Sequence, residues 1–146
     1  MKITIGESFL GKEFLGANKD GEHYQECTFC GAFFKTCSMV DSITKYCDYG
    51  YVKAEDSDFS GSKFTNTDFQ EAVFENCVLD GVVFTDCDFR DAEFNNCSLI
   101  GCTFENCTFD DTIMNGMEDD QFTGLVTNGK EFPNFFAGIV GVQCKN

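Results

Sequence analysis

The chain has 146 residues, enough for one domain with a substantial core, and carries 25 acids against 10 bases for a net charge of −15. So acidic a chain excludes direct binding to nucleic acid or to an anionic membrane, both of which are polyanions. No apolar run is long enough to cross a bilayer and the first residues show no signal-peptide pattern, which points to a cytoplasmic protein.

Residues 1–26 already place Phe9, Phe14 and Tyr24 on a five-residue grid, but Glu7, Lys12 and Glu22 precede them by two positions. Residues 27–116 repeat the grid without losing register. Its centres at 29, 34, 39 and onward are Phe at Phe29, Phe34, Phe59, Phe64, Phe69, Phe74, Phe84, Phe89, Phe94, Phe104 and Phe109, with Met39, Tyr49, Leu79, Leu99 and Met114 also large. Thr44 and Ala54 alone break the row. Two positions before each centre stands a small residue, from Cys27 and Ala32 to Cys107 and Thr112. A period of five fits neither an amphipathic helix nor a plain alternating strand, so the chain is built from a turn-bearing unit.

Within each unit the first and third residues share one side of a short strand, and the fifth makes a corner. Gly recurs at that corner, as at Gly31, Gly61 and Gly81, and Asp recurs in the second slot, as at Asp48, Asp58 and Asp68. The centres therefore form a laddered core. Around Thr44 and Ala54 the small centres suggest a local bulge, or a neighbour such as Ile43 turning inward. Before residue 27, charged groups would not be buried unpaired, so 1–26 is either a distorted first coil or a cap.

Eight of the ten cysteines (27, 37, 47, 77, 87, 97, 102 and 107) occupy the small slot interchangeably with Ala, Ser, Val and Thr. A packing slot needs only a small side chain, whereas a disulfide needs a specific partner, so these thiols read as reduced core filler. Cys27 and Cys30 form a CxxC, but one points inward and the other outward. His23 is the only histidine, and no phosphate loop, nucleophile motif or metal-ligand cluster occurs. The sequence reads as a non-enzyme with no cofactor and no metal.

After Gly116 the grid stops, and Glu118-Asp119-Asp120 and Thr127-Asn128-Gly129-Lys130 read as polar turns. Pro133 suits the first turn of a short helix over the next residues, and Ile139–Gln143 is strand-prone. Residues 117–146 thus form a carboxyl-terminal cap, to close the tube or to join two chains.

Segments such as Cys87-Asp88-Phe89-Arg90-Asp91 and Ser57-Asp58-Phe59-Ser60-Gly61 resemble the pentapeptide-repeat family, whose consensus is small–Asp/Asn–Leu/Phe–x–x. The resemblance implies an all-β fold, a right-handed four-sided parallel β-helix with twenty residues per coil, carrying here a short carboxyl-terminal helix and strand. Phe135-Phe136-Ala137-Gly138-Ile139-Val140-Gly141-Val142 is similar to the module by which gyrase-interacting members dimerise. It implies a homodimer contact through Phe132, Phe135, Phe136, Ile139, Val140 and Val142.

Units twenty residues apart then share a face. One face carries Asp48, Asp68, Glu71, Asp88, Asp91, Asp110 and Asp111 against Arg90 alone. Residues 27–116 carry 16 acids and 5 bases. Over a rod of roughly 22 Å that is one net charge per ~2 Å, close to the ~1.7 Å of duplex DNA. Two functions follow. One, which the resemblance to gyrase-interacting members implies, is a DNA mimic that binds a basic DNA-binding protein, a type II topoisomerase such as DNA gyrase, through the acidic face. The other is a protein–protein interaction scaffold with no topoisomerase role.

Overall fold

The computed structural model describes residues 2–128 and the strand Gln143–Lys145. The chain winds into an all-β parallel solenoid of about six turns. Eight strands stack in one sheet in the order β1 (Ile3–Ile5), β3 (His23–Gln25), β5 (Ile43–Lys45), β7 (Lys63–Thr65), β9 (Val83–Thr85), β11 (Thr103–Glu105), β13 (Val126–Asn128) and β14 (Gln143–Lys145). Six stack in a second: β2 (Glu13–Leu15), β4 (Phe33–Lys35), β6 (Lys53–Glu55), β8 (Val73–Glu75), β10 (Glu93–Asn95) and β12 (Ile113–Asn115). Between them run two columns of single-residue parallel bridges, one through Thr28, Asp48, Asp68 and Asp88, the other through Ser38, Asp58 and Val78.

Each slot has a physical reason. The chain turns a corner every five residues, and the corner residue takes a left-handed φ, 69° at Gly31 and 47° at Asn66. Gly and Asn reach that region at least cost. The centre residue points into the tube, and all eleven phenylalanines named above are buried. Their rings stack along the axis: Phe69 and Phe89 lie 5.0 Å apart and 5° from parallel, Phe84 and Phe104 5.1 Å and 9°. The small slot packs against backbone, where its weak donor finds a carbonyl. Cys37 Sγ reaches Phe14 O at 3.1 Å, Ser62 Oγ donates to Met39 O at 2.6 Å, and Thr112 Oγ1 to Phe89 O at 2.6 Å. Cys, Ser and Thr interchange there because each is small and each can donate. The nine cysteines from Cys27 to Cys107 are free.

Four expectations need correcting. No bulge occurs at 42–54: β5 pairs in plain register with β3 and β7, and Thr44 and Ala54 themselves fill the centres, both fully buried. Aromatic neighbours take up the missing volume. Phe59 turns edge-on to Phe34 (6.4 Å, 72°) and to Phe74 (5.8 Å, 83°), across the gap that Ala54 leaves between them. The neighbour Ile43, expected to turn inward, stays on the outward side of β5, half-buried.

Second, at the amino end, left open as a distorted first coil or a cap, the coil alternative holds and only its distortion is corrected. Residues 3–26 follow the same strand, bridge and corner pattern as later turns, with β1 paired to β3 and β2 to β4. The charged small-slot residues cost little there because this is the open mouth of the tube, and Glu7 and Lys12 are exposed.

Third, the solenoid does not stop at Gly116. Three extra residues are taken up around a single 3-10 turn, Asp119–Phe122, with Gln121 Oε1 accepting the Glu118 N–H at 2.7 Å. Phe122 and Leu125 then re-enter the core, and Thr103 pairs with Val126, twenty-three residues on instead of twenty. Fourth, Thr127-Asn128 is therefore strand, not turn. The helix expected after Pro133, and the dimer residues Phe132, Phe135, Phe136, Ile139, Val140 and Val142, lie outside the described residues.

Candidate interaction surface

The bridge column through Thr28, Asp48, Asp68 and Asp88 carries three of the seven acidic residues singled out above. The second-slot side chain has a local task. Asp48 Oδ1 accepts the Gly50 N–H at 2.8 Å, Asp68 Oδ1 the Gln70 N–H at 2.8 Å, and Asp88 Oδ1 the Arg90 N–H at 3.0 Å. Thr28 Oγ1 does the same for Cys30 at 3.2 Å. Each is a side-chain turn that satisfies a backbone donor the coil leaves open, which is why Asp recurs in this slot. These carboxylates are half-buried and share themselves between backbone and solvent.

The remaining acids stand clear. Glu71, Asp91 and Asp111 occupy one corner column, with φ of 59°, 59° and 58°, and Asp110 precedes the last of them; all four are exposed. Arg90 folds back onto Asp88, with Nη2 2.7 Å from Oδ2 and Nε 3.0 Å from each carboxylate oxygen. The one base on this side is thereby committed, and the free negative charge falls into two groups, Asp48–Asp68–Glu71 and Asp91–Asp110–Asp111. Cys30 shares the surface, and burial, then the charges of Asp48 and Asp68, push its thiol up.

The opposite character appears on the sheet of β4 and β6. There Lys53 pairs with Glu55 at 3.0 Å and Lys35 approaches the same carboxylate at 3.7 Å, holding Glu55 below the usual carboxylate range. Mixed charge covers one side and nearly unmixed acid the other.

Tyr46 and Tyr51 were not anticipated. They are the two corner residues that flank Asp48, 58 % and 62 % exposed, each with a left-handed φ (54° and 57°). A signal did exist, since an aromatic is out of place in a slot otherwise held by Gly, Asn, Asp, Glu and Thr. Glu71 one turn on pushes the Tyr51 hydroxyl up.

Among the described residues no group of three or more His, Cys, Asp and Glu side chains could hold a metal, and no helix is long and apolar enough to cross a membrane. His23 lies half-buried at the start of β3.

No curated protein matches the sequence. Among solved structures, a trypsin-treated variant of QnrB1, a plasmid-mediated fluoroquinolone resistance protein, is similar at 16% identity and a TM-score of 0.43, over 99% of this chain and 89% of that one. A pentapeptide repeat protein of the Arabidopsis thaliana thylakoid lumen is similar at 17% identity and a TM-score of 0.43, over 94% and 80%. HetL, involved in heterocyst differentiation regulation in Nostoc sp. strain PCC 7120, shares 10% identity at a TM-score of 0.35, over 98% and 81%. The family profile described as pentapeptide repeat region matches residues 51–123, half of the sequence. With that match over the same turns whose five-residue geometry has been described, the chain belongs to the pentapeptide-repeat family.

Proposed function

We propose that the protein is a non-enzymatic binding rod that presents its acidic side to a basic protein surface. We read each turn as one four-sided coil, right-handed as the resemblance implies, whose sides are the two sheets and the two bridge columns. The observation that carries the reading is the exposed set Glu71, Asp91, Asp110 and Asp111, lying beside the Asp48–Asp68–Asp88 column with its only arginine tied to Asp88. Successive turns repeat at about 4.8 Å, so the carboxylates stand on a stiff scaffold at a linear density comparable with duplex DNA. Electrostatic attraction of that kind speeds association with a cationic cleft and falls with salt. The partner to test first is a type II topoisomerase, DNA gyrase, whose DNA-binding surface must be basic.

A second reading is a protein–protein scaffold without a topoisomerase role. It is favoured by the hydrogen bonds that Asp48, Asp68 and Asp88 accept from backbone N–H groups, since those acids are needed by the coil whatever it binds. A supercoiling assay with and without a quinolone separates the two. Wild type should alter gyrase activity or its quinolone sensitivity, and Glu71→Gln/Asp91→Asn/Asp110→Asn/Asp111→Asn should lose the effect while keeping the fold. No effect of wild type on gyrase leaves the scaffold.

We also propose a homodimer through the carboxyl-terminal residues 132–142 and a cytoplasmic setting. The nine free thiols from Cys27 to Cys107 support a reducing compartment.

A further inference from the structure

An open groove of 490 Å³ runs along the corner column that begins at Gly6 and passes Glu26, Tyr46 and Asn66. Its floor is the small-slot backbone with Cys27 and Cys47, and Ser8, Thr28, Asp48 and Asp68 form one wall. Glu7, Glu26, Asp48 and Asp68 line it, and no Lys or Arg does among the described residues. Tyr46, more than half exposed, stands in the middle of its length.

We propose that this groove holds a short extended segment of a basic partner protein, with an arginine side chain laid on the Tyr46 ring. The proposal rests on reading the acidic side as a docking surface for a basic protein, and it names the element of that partner. Length fits: four turns span about 14 Å, the reach of roughly four extended residues. Charge fits: four carboxylates and no cation line the groove. Chemistry selects arginine over lysine, because a planar guanidinium stacks on an aromatic face while pairing with a carboxylate at its edge, and Glu26, one turn before Tyr46 in the corner column, and Asp48, two residues after it, both line the groove. The groove is separate from Asp91, Asp110 and Asp111, so the two parts of the acidic side can be tested apart.

The test is fluorescence anisotropy of a labelled Gly-Arg-Gly-Arg-Gly peptide with the full chain at low salt, beside its lysine and citrulline counterparts. Tyr46→Asn is the probing variant, since Asn accepts the left-handed corner as Asn66 does one turn later. Wild type should prefer arginine to lysine and reject citrulline. Tyr46→Asn should weaken the arginine peptide roughly five-fold and erase the preference over lysine. Glu26→Gln should weaken both cationic peptides. Equal binding of arginine peptide by wild type, Tyr46→Asn and Glu26→Gln, with loss on Asp91→Asn/Asp110→Asn/Asp111→Asn, overturns the groove and leaves the acidic docking surface standing. No binding of either cationic peptide by wild type overturns both.

Discussion

The ammonium of Lys19 stands 4.8 Å from the centroid of the Phe14 ring, at the mouth of the solenoid. Lys19 occupies a centre position, one turn before Met39, so it points where a core residue would. It is also 5.8 Å from the Tyr24 ring and 3.7 Å from Glu22, whose carboxylate accepts the Tyr24 hydroxyl. Lys12, in a small slot, lies 5.6 and 5.5 Å from the Phe9 and Phe14 rings. A coil end exposes unpaired strand groups that invite another sheet to add on, and inward-pointing lysine is one way to prevent it. Replacing it with an apolar residue should therefore change association more than stability. Lys19→Met is expected to alter the unfolding free energy by no more than about 1 kcal/mol, because the cation–π contact is partly solvated. Light scattering should show larger, concentration-dependent species than wild type. Unchanged size would mean that the lysine does not guard the mouth.

The core ladder makes a sharper prediction about stability. Phe89 stacks on Phe69 below and on Phe109 above, the latter at 5.6 Å and 10°. Phe89→Ala should cost about 3–5 kcal/mol, since the turns on either side are hydrogen-bonded at fixed spacing and cannot collapse into the space. Thr108 points outward in the same ladder, and Thr108→Ala should stay within about 0.5 kcal/mol. Denaturant midpoints at constant m-value will show the contrast. Equal costs would invert the inward and outward assignment.

These two cases also show what a sequence of this kind reveals. Phe89 was legible because an inward slot tolerates only certain volumes, and a constraint renewed every five residues is hard to miss. Lys19 was not, because at an open end the same slot meets water and the volume rule lapses. Phe122 and Leu125 were hidden for another reason. Phe122 continues the core ladder and Leu125 the small slot, but the extra 3-10 turn shifts both off the grid by three. Thr44 and Ala54 misled because a small centre can be filled by rings from adjacent ladders, which a one-dimensional pattern does not contain. The acidic residues were readable as a set, whereas Tyr46 and Tyr51 sit in outward corners that the fold leaves nearly free, so only their departure from the Gly, Asn, Asp, Glu and Thr of the other corners marks them.

A third prediction concerns how one turn borrows a carboxylate from another. Ser98 replaces Asp in its second slot, and Asp80 of the preceding turn supplies what is missing: its Oδ1 accepts the Ile100 N–H at 3.0 Å together with the Ser98 hydroxyl. Asp20 serves Val40 and Ser38 in the same way. Where Asp58 is present, it accepts its own Ser60 N–H at 2.9 Å. Asp80→Ala should cost about 1 kcal/mol by leaving that donor to solvent. Ser98→Asp in the Asp80→Ala background should recover most of the loss, as the local arrangement of Asp58 is restored. A double-mutant cycle reads the coupling, and strictly additive effects would mean the two arrangements are not equivalent.

The last prediction turns on the buried thiols. Burial is the main cause that pushes Cys47 up to about 12, against an ordinary value of 9.0, and it drives Cys102 well above the same value. In native protein, thiol reagents should find Cys30 promptly and the small-slot cysteines slowly, whereas the denatured chain should offer all ten. The same burial sets a pH dependence. A thiol whose folded pKa is raised contributes fully below its unfolded pKa, because both states are then protonated. Above about 9 the unfolded chain ionises and the folded Cys47 does not, so stability is lost progressively until about 12. Across that window a single such thiol contributes a slope of roughly 1.4 kcal/mol per pH unit. Lysines and tyrosines titrate there too, so the informative quantity is a difference. Cys47→Ala suits the slot, which Ala32, Ala72 and Ala92 fill elsewhere, and it removes one ionisable group from both states. Unfolding free energies measured by denaturant from pH 8 to 11 should fall less steeply for Cys47→Ala than for wild type. Parallel curves would show that the Cys47 thiol is not held neutral by the fold.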